Sequence, residues 1–197
     1  FSVVPYTTLF RSLVSDNGGL STAEGSPTSN FPLRGGKGWL YEGGIRVPYI
    51  IKTPYMKGSA GICKTPVSST DFYPTILELT GATLKPYQHK DGVSLVPLLK
   101  GNRVFDRGAI YFHYPHYGGK GDSPAGAIRK GDYKLIWFYE DDHIELYNLK
   151  MDISEKENLA ETQKERALSL QKELQEWLCS CAAKMPVYNP DYKEIKY

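Results

Sequence analysis

The chain has 197 residues, of which 41% are hydrophobic and 23% are charged, and its formal net charge is +2 at pH 7. These proportions are typical of a globular protein and exclude a disordered or membrane-embedded one. The length suits one domain with a real core and is too short for two ordinary domains. No apolar run approaches the ~20 residues of a transmembrane helix, so we expect no membrane insertion. Lysines and arginines are scattered among acids instead of forming one stripe, which gives no case for nucleic-acid binding.

Three cysteines are present, Cys63, Cys179 and Cys181. An odd number leaves at least one thiol unpaired, and the last two fall in a helical pattern where side chains two residues apart point in different directions. We therefore expect reduced cysteines in packing or surface positions and no metal site among them.

The first twelve residues, Phe1 to Ser12, are predicted not to belong to the fold. Residues 5–12 read like the translation of a sequencing-library adapter, and such segments are set aside before fold reasoning. On this interpretation the natural sequence begins near Leu13, inside a strand, and the chain is a truncated gene product. The alternative is an ordinary strand with alternating apolar residues.

A first candidate site follows the short apolar run Leu13-Val14. Asp16 and Asn17 stand there before two glycines, and the carboxyl end of a strand is where sites form in α/β proteins. Carboxylate and amide oxygens suit a hard cation such as Ca²⁺ or Mg²⁺. Asp-Asn-Gly-Gly is also a common turn, since Asn and Gly tolerate a positive φ.

Lys37 is the second candidate, and it lies among the glycines of Gly35-Gly36-Lys37-Gly38. Glycines let backbone and ammonium approach an anion closely, and lysine binds phosphate- or sulfate-like groups as a point charge. An anion site beside a hard cation is the implied pair.

The middle of the chain predicts short elements. A β-type run from Ile45 to Ile51, interrupted by Pro48, is expected to end near Lys52. A helix follows Ser69-Thr70-Asp71, with a hydroxyl or carboxylate cap, proline in its first turn and Gly81 at its end. Residues 91–101 predict a turn and a short helical element.

From residue 107 the pattern favours a small antiparallel sheet. The predicted strands cover 109–114, 127–129, 133–139 and 144–149, with a Lys-Gly-Asp turn between the second and third. An amphipathic helix from Thr162 is expected to pack on this sheet. Its apolar stripe comprises Ala167, Leu170, Leu174, Trp177, Leu178 and Cys181.

The stretch from His113 to Gly119 is the third candidate site. His113, His116 and Tyr117, with two further tyrosines, offer hydrogen-bond donors and stacking faces to a sugar. The alternative has one histidine facing solvent and the other bonded to a backbone carbonyl. A transition metal is disfavoured because no third ligand is evident nearby.

Taken together, these motifs resemble the sulfatase family of the alkaline-phosphatase-like superfamily. The shared segments are Ser-Asp-Asn-Gly, then Gly-x-Lys-x-x-x-x-Glu-Gly-Gly-x-Arg-Val-Pro, with matching types, order and spacing. The resemblance implies that Asp16 and Asn17 are ligands of an active-site Ca²⁺ and that Lys37 contacts the substrate sulfate. It also implies structural roles for Glu42 and Arg46, with Arg46 buried against carboxylates or carbonyls.

Some carbohydrate sulfatases carry a similar His-Tyr-Pro-His-Tyr-Gly segment beside the substrate cleft. This likeness favours a substrate contact by one of His113 and His116. The implied substrate is a sulfated carbohydrate or an aryl sulfate, and the family's usual export to the periplasm, the cell exterior or the lysosome is the expected localisation.

The implied fold class is α/β: residues 13–106 are expected to form the C-terminal part of an alkaline-phosphatase-like α/β/α sandwich. Residues 107–197 would add the small antiparallel sheet, the helix and a tail. The family's nucleophile is a formylglycine made in a Cys/Ser-x-Pro/Ala-x-Arg motif, which this sequence lacks; around Cys63 the proline is displaced and the arginine missing. We therefore expect a sulfatase fragment that is inactive by itself.

Two other functions stay open. One is a non-catalytic module that holds sulfated sugar through Lys37, the histidine pair and tyrosines. The other is a different hydrolase or transferase of the same superfamily, although Glu-Gly-Gly-x-Arg-Val-Pro after the lysine favours a sulfatase. Fold alone does not decide between them.

Overall fold

The computed structural model describes residues 10–53, 61–102, 105–119 and 122–192. The chain forms two compact units. The first takes in the chain up to Asp16 together with Val47–Ile110, and the second comprises Asn17–Arg46 and Tyr111–Tyr197. Residues 17–46 thus group with the sheet, and the division of the chain at residue 106 stays a prediction.

The first unit contains a two-stranded antiparallel ribbon. Strand β1, Arg11–Val14, pairs with β2, Tyr49–Lys52, and confirms a strand ahead of Asp16. Arg11 and Ser12 take part in this pairing, although both fall in the predicted adapter segment; its residues 1–9 lie outside the described part of the chain. The origin of that segment stays a prediction.

The β-type run predicted from Ile45 begins later than expected. Ile45 ends the short helix α1, Glu42–Ile45, and the strand starts at Tyr49. Pro48 stands between them, has no N–H to donate and separates the helical turn from the strand.

The predicted capped helix is confirmed as a 3-10 turn at Ser69–Asp71 that leads into α2, Phe72–Leu79. Ser68 is the N-cap of this turn, and Asp71 completes its capping box, since Asp71 Oδ2 accepts from the Ser68 N–H at 2.8 Å. The same buried carboxylate is held by Arg107, with Nε and Nη2 donating at 2.9 and 2.8 Å. Helix α3, Val96–Leu99, follows where a short helical element was predicted.

The second unit is built on a four-stranded sheet in the order β3-β4-β5-β6. The strands are β3, Ile110–Tyr114; β4, Ala125–Lys130; β5, Tyr133–Phe138; and β6, Ile144–Asn148. The β4–β5 and β5–β6 pairs are antiparallel, with Ala127 opposite Ile136 and Leu135 opposite Leu146. The predicted sheet is confirmed.

One side of this sheet, which we call the helix face, packs against helix α4, Lys164–Ser180. Because side chains alternate along a strand, Ile128, Leu135 and Leu146 share this face. The buried residues of α4 are Ala167, Leu170, Leu174 and Leu178. Four of the six stripe residues predicted from the sequence are therefore confirmed as buried.

Cys181 is a correction to that stripe, because the helix ends at Ser180 and the thiol is exposed. All three cysteines are free and exposed, so of the two predicted environments, packing or surface, they occupy the surface.

The opposite side, the loop face, carries a separate apolar cluster of Ala125, Ala127, Ile136, Phe138, Tyr147 and Leu149. Tyr41 belongs to the same cluster, and Trp39 and Leu40 pack against it. Residues 39–41 therefore lie on the face that α4 leaves open. In the described part of the chain, no helix has both the length and the apolar composition that crossing a membrane requires.

Candidate functional site

Three glycine-rich segments of the second unit pack backbone against backbone. The Gly18 N–H donates to the Gly44 carbonyl at 2.8 Å, and the Lys37 N–H donates to the Gly19 carbonyl at 3.1 Å. A Cβ at Gly18 would overlap the Gly43 carbonyl, and one at Gly36 would lie 2.5 Å from the Gly19 oxygen. Side chains do not fit at these positions, so glycine is what allows the loops of both sequence motifs to meet.

Asn30 ties two of these segments together. Its Oδ1 accepts from the Gly19 N–H at 3.1 Å, and its Nδ2 lies 2.8 Å from the Gly19 carbonyl and 3.0 Å from the Gly35 carbonyl. Ser21 joins the group: its hydroxyl accepts from Nδ2 at 3.0 Å and donates to the Gly35 carbonyl at 2.9 Å. Sequence reasoning missed Asn30, which lies in a polar loop with no periodicity.

Arg34 fixes the beginning of the Lys37 segment to the loop face. Its Nη1 donates to the Tyr147 hydroxyl at 2.8 Å and to the Glu155 carbonyl at 3.0 Å. The guanidinium lies 3.9 Å from the centre of the Tyr41 ring, a cation–π arrangement. The Tyr41 hydroxyl in turn donates to Glu145 at 2.8 Å.

Lys134 fixes the end of the same segment, and its side chain is fully buried. The ammonium lies 2.9 Å from the Leu40 carbonyl, 3.1 Å from Glu42 Oε1 and 2.5 Å from Glu155 Oε1. The other Glu155 oxygen accepts from the Glu42 N–H at 2.7 Å. Burial raises the pKa of Glu155, and the nearby Lys134 charge opposes that rise. We call Arg34, Glu42, Lys134 and Glu155 the loop clamp.

Glu42 is structural, as expected, but the expected burial of Arg46 is wrong. The Arg46 side chain is 56% exposed and only approaches Glu42 Oε2, at 3.5 Å. Lys134 fills the buried cation position beside Glu42 instead, since it reaches the carboxylate from the sheet, while Arg46 stands at the end of α1.

The predicted anion and cation residues are partly brought together. The Lys37 side chain is exposed, and the Lys37 N–H donates to the carbonyl of Gly19, two residues after Asn17. Asn17 is half-buried. Asp16 is exposed and belongs to the first unit, since the chain passes between units at this point.

The donor set of Asp16 and Asn17 fits Ca²⁺ in kind but not in number. Carboxylate and amide oxygens are hard ligands, whereas Ca²⁺ takes six to eight oxygens. Within the described ranges, no group of three or more His, Cys, Asp or Glu side chains is arranged to hold a metal. Further ligands would have to come from elsewhere.

The two histidines differ in their surroundings. His113 engages both ring nitrogens, with Nδ1 2.8 Å from the Tyr139 hydroxyl and Nε2 3.0 Å from the Lys184 carbonyl. A carbonyl only accepts, so in the neutral ring Nε2 donates and Nδ1 accepts from the tyrosine. His113 lies on the helix face, like Tyr111, whose ring stacks on Trp177 of α4.

His116 is exposed and meets the Tyr114 ring edge to face at 5.7 Å. The loop around it is held by buried Asp122, which accepts from the Gly118 N–H at 2.9 Å. Burial and the Asp122 carboxylate raise the pKa of Tyr114. Tyr117 is 63% exposed, and its hydrogen bond to Glu140 raises its pKa.

A cavity of about 10 Å³ lies between Asp122 and the segment that follows Lys37. Gly38, Trp39, Asp122 and Phe138 are among its lining residues. It has room for a single water and is no ligand pocket. It nevertheless places Asp122, which accepts from the Gly118 N–H, on the loop face beside Gly38.

Comparison with known proteins identifies the family of this chain. Residues 35–184 match the model of the family described as N-sulphoglucosamine sulphohydrolase, C-terminal. A protein named sulfatase from Formosa agariphila is 36% identical over 198 residues, covering 93% of this chain and 35% of its own length. The chain therefore belongs to the sulfatase family, within its N-sulphoglucosamine sulphohydrolase C-terminal group.

Solved structures agree. The protein i-CgsB, in complex with k-i-k-neocarrahexaose, has a TM-score of 0.72 and 31% identity over 85% of this chain and 36% of its own. A protein in complex with its substrate D-glucosamine-2-N,6-O-disulfate has a TM-score of 0.55 and 31% identity, covering 75% of this chain and 31% of its own. The chain spans about a third of the length of these proteins. The predicted fold class is confirmed: an α/β C-terminal portion of the alkaline-phosphatase-like fold, with its antiparallel sheet and helix.

Proposed function

We propose that this chain is the C-terminal part of an enzyme that hydrolyses sulfate esters of sulfated glycans and that Lys37 binds the substrate sulfate. The observation that carries the proposal is the position of Lys37, whose side chain is exposed while its backbone is bonded to Gly19. Because the backbone is already fixed, only the Lys37 side chain has to be ordered when it binds an anion. Complexes of the structural neighbours with a neocarrahexaose and a disulfated glucosamine support a carbohydrate substrate.

Asp16 and Asn17 would supply two oxygen ligands to Ca²⁺. When bound, the cation draws charge from the sulfate oxygens. The nucleophile, a formylglycine in the resembling enzymes, has no counterpart motif in this sequence. We therefore propose that the purified chain binds sulfated sugar without releasing sulfate.

His116 and Tyr117 are the proposed sugar contacts. Both are exposed, and Asp122, which accepts from the Gly118 N–H of their loop, lines the small cavity beside the Lys37 segment. The role predicted for His113 stays a prediction, because its ring would have to give up the Tyr139 or Lys184 bond to reach substrate.

The test is calorimetry of the purified chain with D-glucosamine-2-N,6-O-disulfate, beside unsulfated glucosamine and glucosamine 6-phosphate. We expect the disulfate to bind and glucosamine not to bind. Lys37→Met should weaken binding by about 10- to 100-fold, which corresponds to a hydrogen bond to a charged group. Lys172→Met, at an exposed helix position, is the matched control and should bind like the wild type.

Equal binding of glucosamine, or an unchanged affinity in Lys37→Met, would overturn the proposal. Tighter binding of the phosphate would favour another enzyme of the superfamily. A non-catalytic binding module is the second candidate, because Lys37, His116 and Tyr117 are all exposed on this one chain. Sulfate release by the purified chain would contradict both the proposed inactivity and the binding-module alternative.

A further inference from the structure

The Asn30 side chain contacts two backbone segments at once. Its amide pairs with both backbone groups of Gly19, accepting from the N–H at 3.1 Å and donating to the carbonyl at 2.8 Å. The same Nδ2 also lies 3.0 Å from the carbonyl of Gly35. Asn30 therefore joins the segment that follows Asn17 to the segment that carries Lys37.

The Gly19 carbonyl is the point where these contacts reach Lys37. It accepts from Asn30 Nδ2 and from the Lys37 N–H at 3.1 Å, which uses the two lone pairs of a carbonyl oxygen. Displacement of Gly19 would therefore displace the backbone of Lys37. The loop clamp acts farther away, at Arg34 and at residues 40–42.

The chemistry of the site requires an amide. The Gly19 N–H donates to this side chain, whereas the Gly19 and Gly35 carbonyls accept from it, and an asparagine amide can do both. A carboxylate has the same shape but would face two carbonyl oxygens without a proton to share.

We propose that Asn30 is a positioning residue that acts through Lys37: it fixes the Lys37 backbone against Gly19 and thereby sets the affinity of the site for sulfate. This inference rests on the proposed function of Lys37. Asn30 itself does not touch the substrate in this proposal.

The experiment compares Asn30→Asp with the wild type in calorimetry with D-glucosamine-2-N,6-O-disulfate. We expect an affinity about 5- to 10-fold lower, because a mobile lysine must be ordered on binding. Asn189→Asp is the matched control: it is exposed and accepts from the Asp191 N–H through Oδ1, which an aspartate does equally well. The control should bind like the wild type.

A double-mutant cycle separates positioning from general stabilisation. If Asn30 acts through Lys37, Asn30→Asp should weaken binding in the wild type and add nothing in the Lys37→Met background. Equal losses in both backgrounds, or no loss in either, would overturn the proposal.

Amide hydrogen exchange keeps the inference separate from the proposed function. Asn30→Asp should lose protection at the Gly19 and Lys37 amides while Leu135, in the centre of the sheet, keeps its protection. A wild type that binds no disulfate would refute the function of Lys37, and unchanged protection at the two amides would refute positioning by Asn30.

Should Asn30→Asp fail to fold, Ser21→Ala removes the hydroxyl shared by Asn30 and Gly35. About twofold weaker binding in Ser21→Ala supports the proposal, and unchanged binding overturns it.

Discussion

The two faces of the four-stranded sheet are held by different interactions. On the helix face, Leu135 and Leu146 are buried on the side that packs against α4, whose Leu174 is fully buried. On the loop face, a buried lysine meets two carboxylates, and an arginine lies over a tyrosine ring. Apolar contacts depend little on direction, whereas ion pairs and hydrogen bonds fix distances and angles.

This difference indicates that the two faces have different roles. The helix face stabilises the sheet by burying apolar area. The loop face carries the segment with Lys37 and fixes both of its ends, at Arg34 and at Glu42. Variants of the two faces should therefore differ in whether they change sulfate binding as well as stability.

The largest effect is expected from Lys134→Met on the loop face. It leaves Glu42 and Glu155 without their buried cation, and removal of one partner of a buried ion pair costs about 3–5 kcal/mol. Urea unfolding would measure the loss, and calorimetry at low temperature should also show weaker disulfate binding. Lys130→Met is the matched control: Lys130 is 52% exposed in its pair with Glu173, so its loss should be at most about 1 kcal/mol. Similar losses for both lysines would contradict the importance of burial.

A smaller effect, about 3 kcal/mol, is expected from Leu174→Ala on the helix face, because it leaves a cavity under the sheet. Well below the unfolding temperature this variant should bind the disulfate with wild-type affinity. Leu168→Ala, at a residue that is 50% exposed, should change the free energy of unfolding by no more than about 0.5 kcal/mol. A loss of disulfate affinity in folded Leu174→Ala would show that the faces are not independent.

The smallest effect is a pH dependence that arises from Glu155. Burial raises the pKa of Glu155 in the folded state above the ordinary 4.5 of the unfolded chain. Between pH 4.5 and this raised pKa, the folded state therefore binds more protons than the unfolded state. The resulting stability is fully present below pH 4.5 and is lost as pH rises through the raised pKa. The wild type minus Glu155→Gln difference in unfolding free energy should therefore fall from pH 4 to 7. A difference that rises with pH would mean that Lys134 outweighs burial and lowers this pKa.

The helices and strands were largely predictable because their signals are local. The period-2 pattern after residue 107 predicted the four strands, and Ser-Thr-Asp before an apolar run predicted α2, where Asp71 completes the capping box of the turn that leads into the helix. The sequence also marked the glycines of the candidate loops. It did not show that Gly18 and Gly36 pack so closely against other backbone that no side chain fits there.

Partners distant in sequence could not be predicted in the same way. Arg46 was expected to be buried against carboxylates or carbonyls, yet it is exposed, and Lys134 of β5 is the buried cation beside Glu42. No sequence pattern indicated a role for Asn30. Its contacts form only because Gly19 and Gly35 both lie next to its side chain in the folded chain. The sequence also could not tell the two histidines apart, whereas in the structure His113 engages both ring nitrogens and His116 is exposed.

The sequence by itself determined the family, the order of the elements and the candidate residues Asp16, Asn17 and Lys37, because these depend on motif spacing and short-range periodicity. The tertiary structure alone decided which charges are buried, which histidine is engaged and which side chain joins the two loops. Those outcomes depend on long-range contacts, where a buried charge must find its partner in space rather than along the chain.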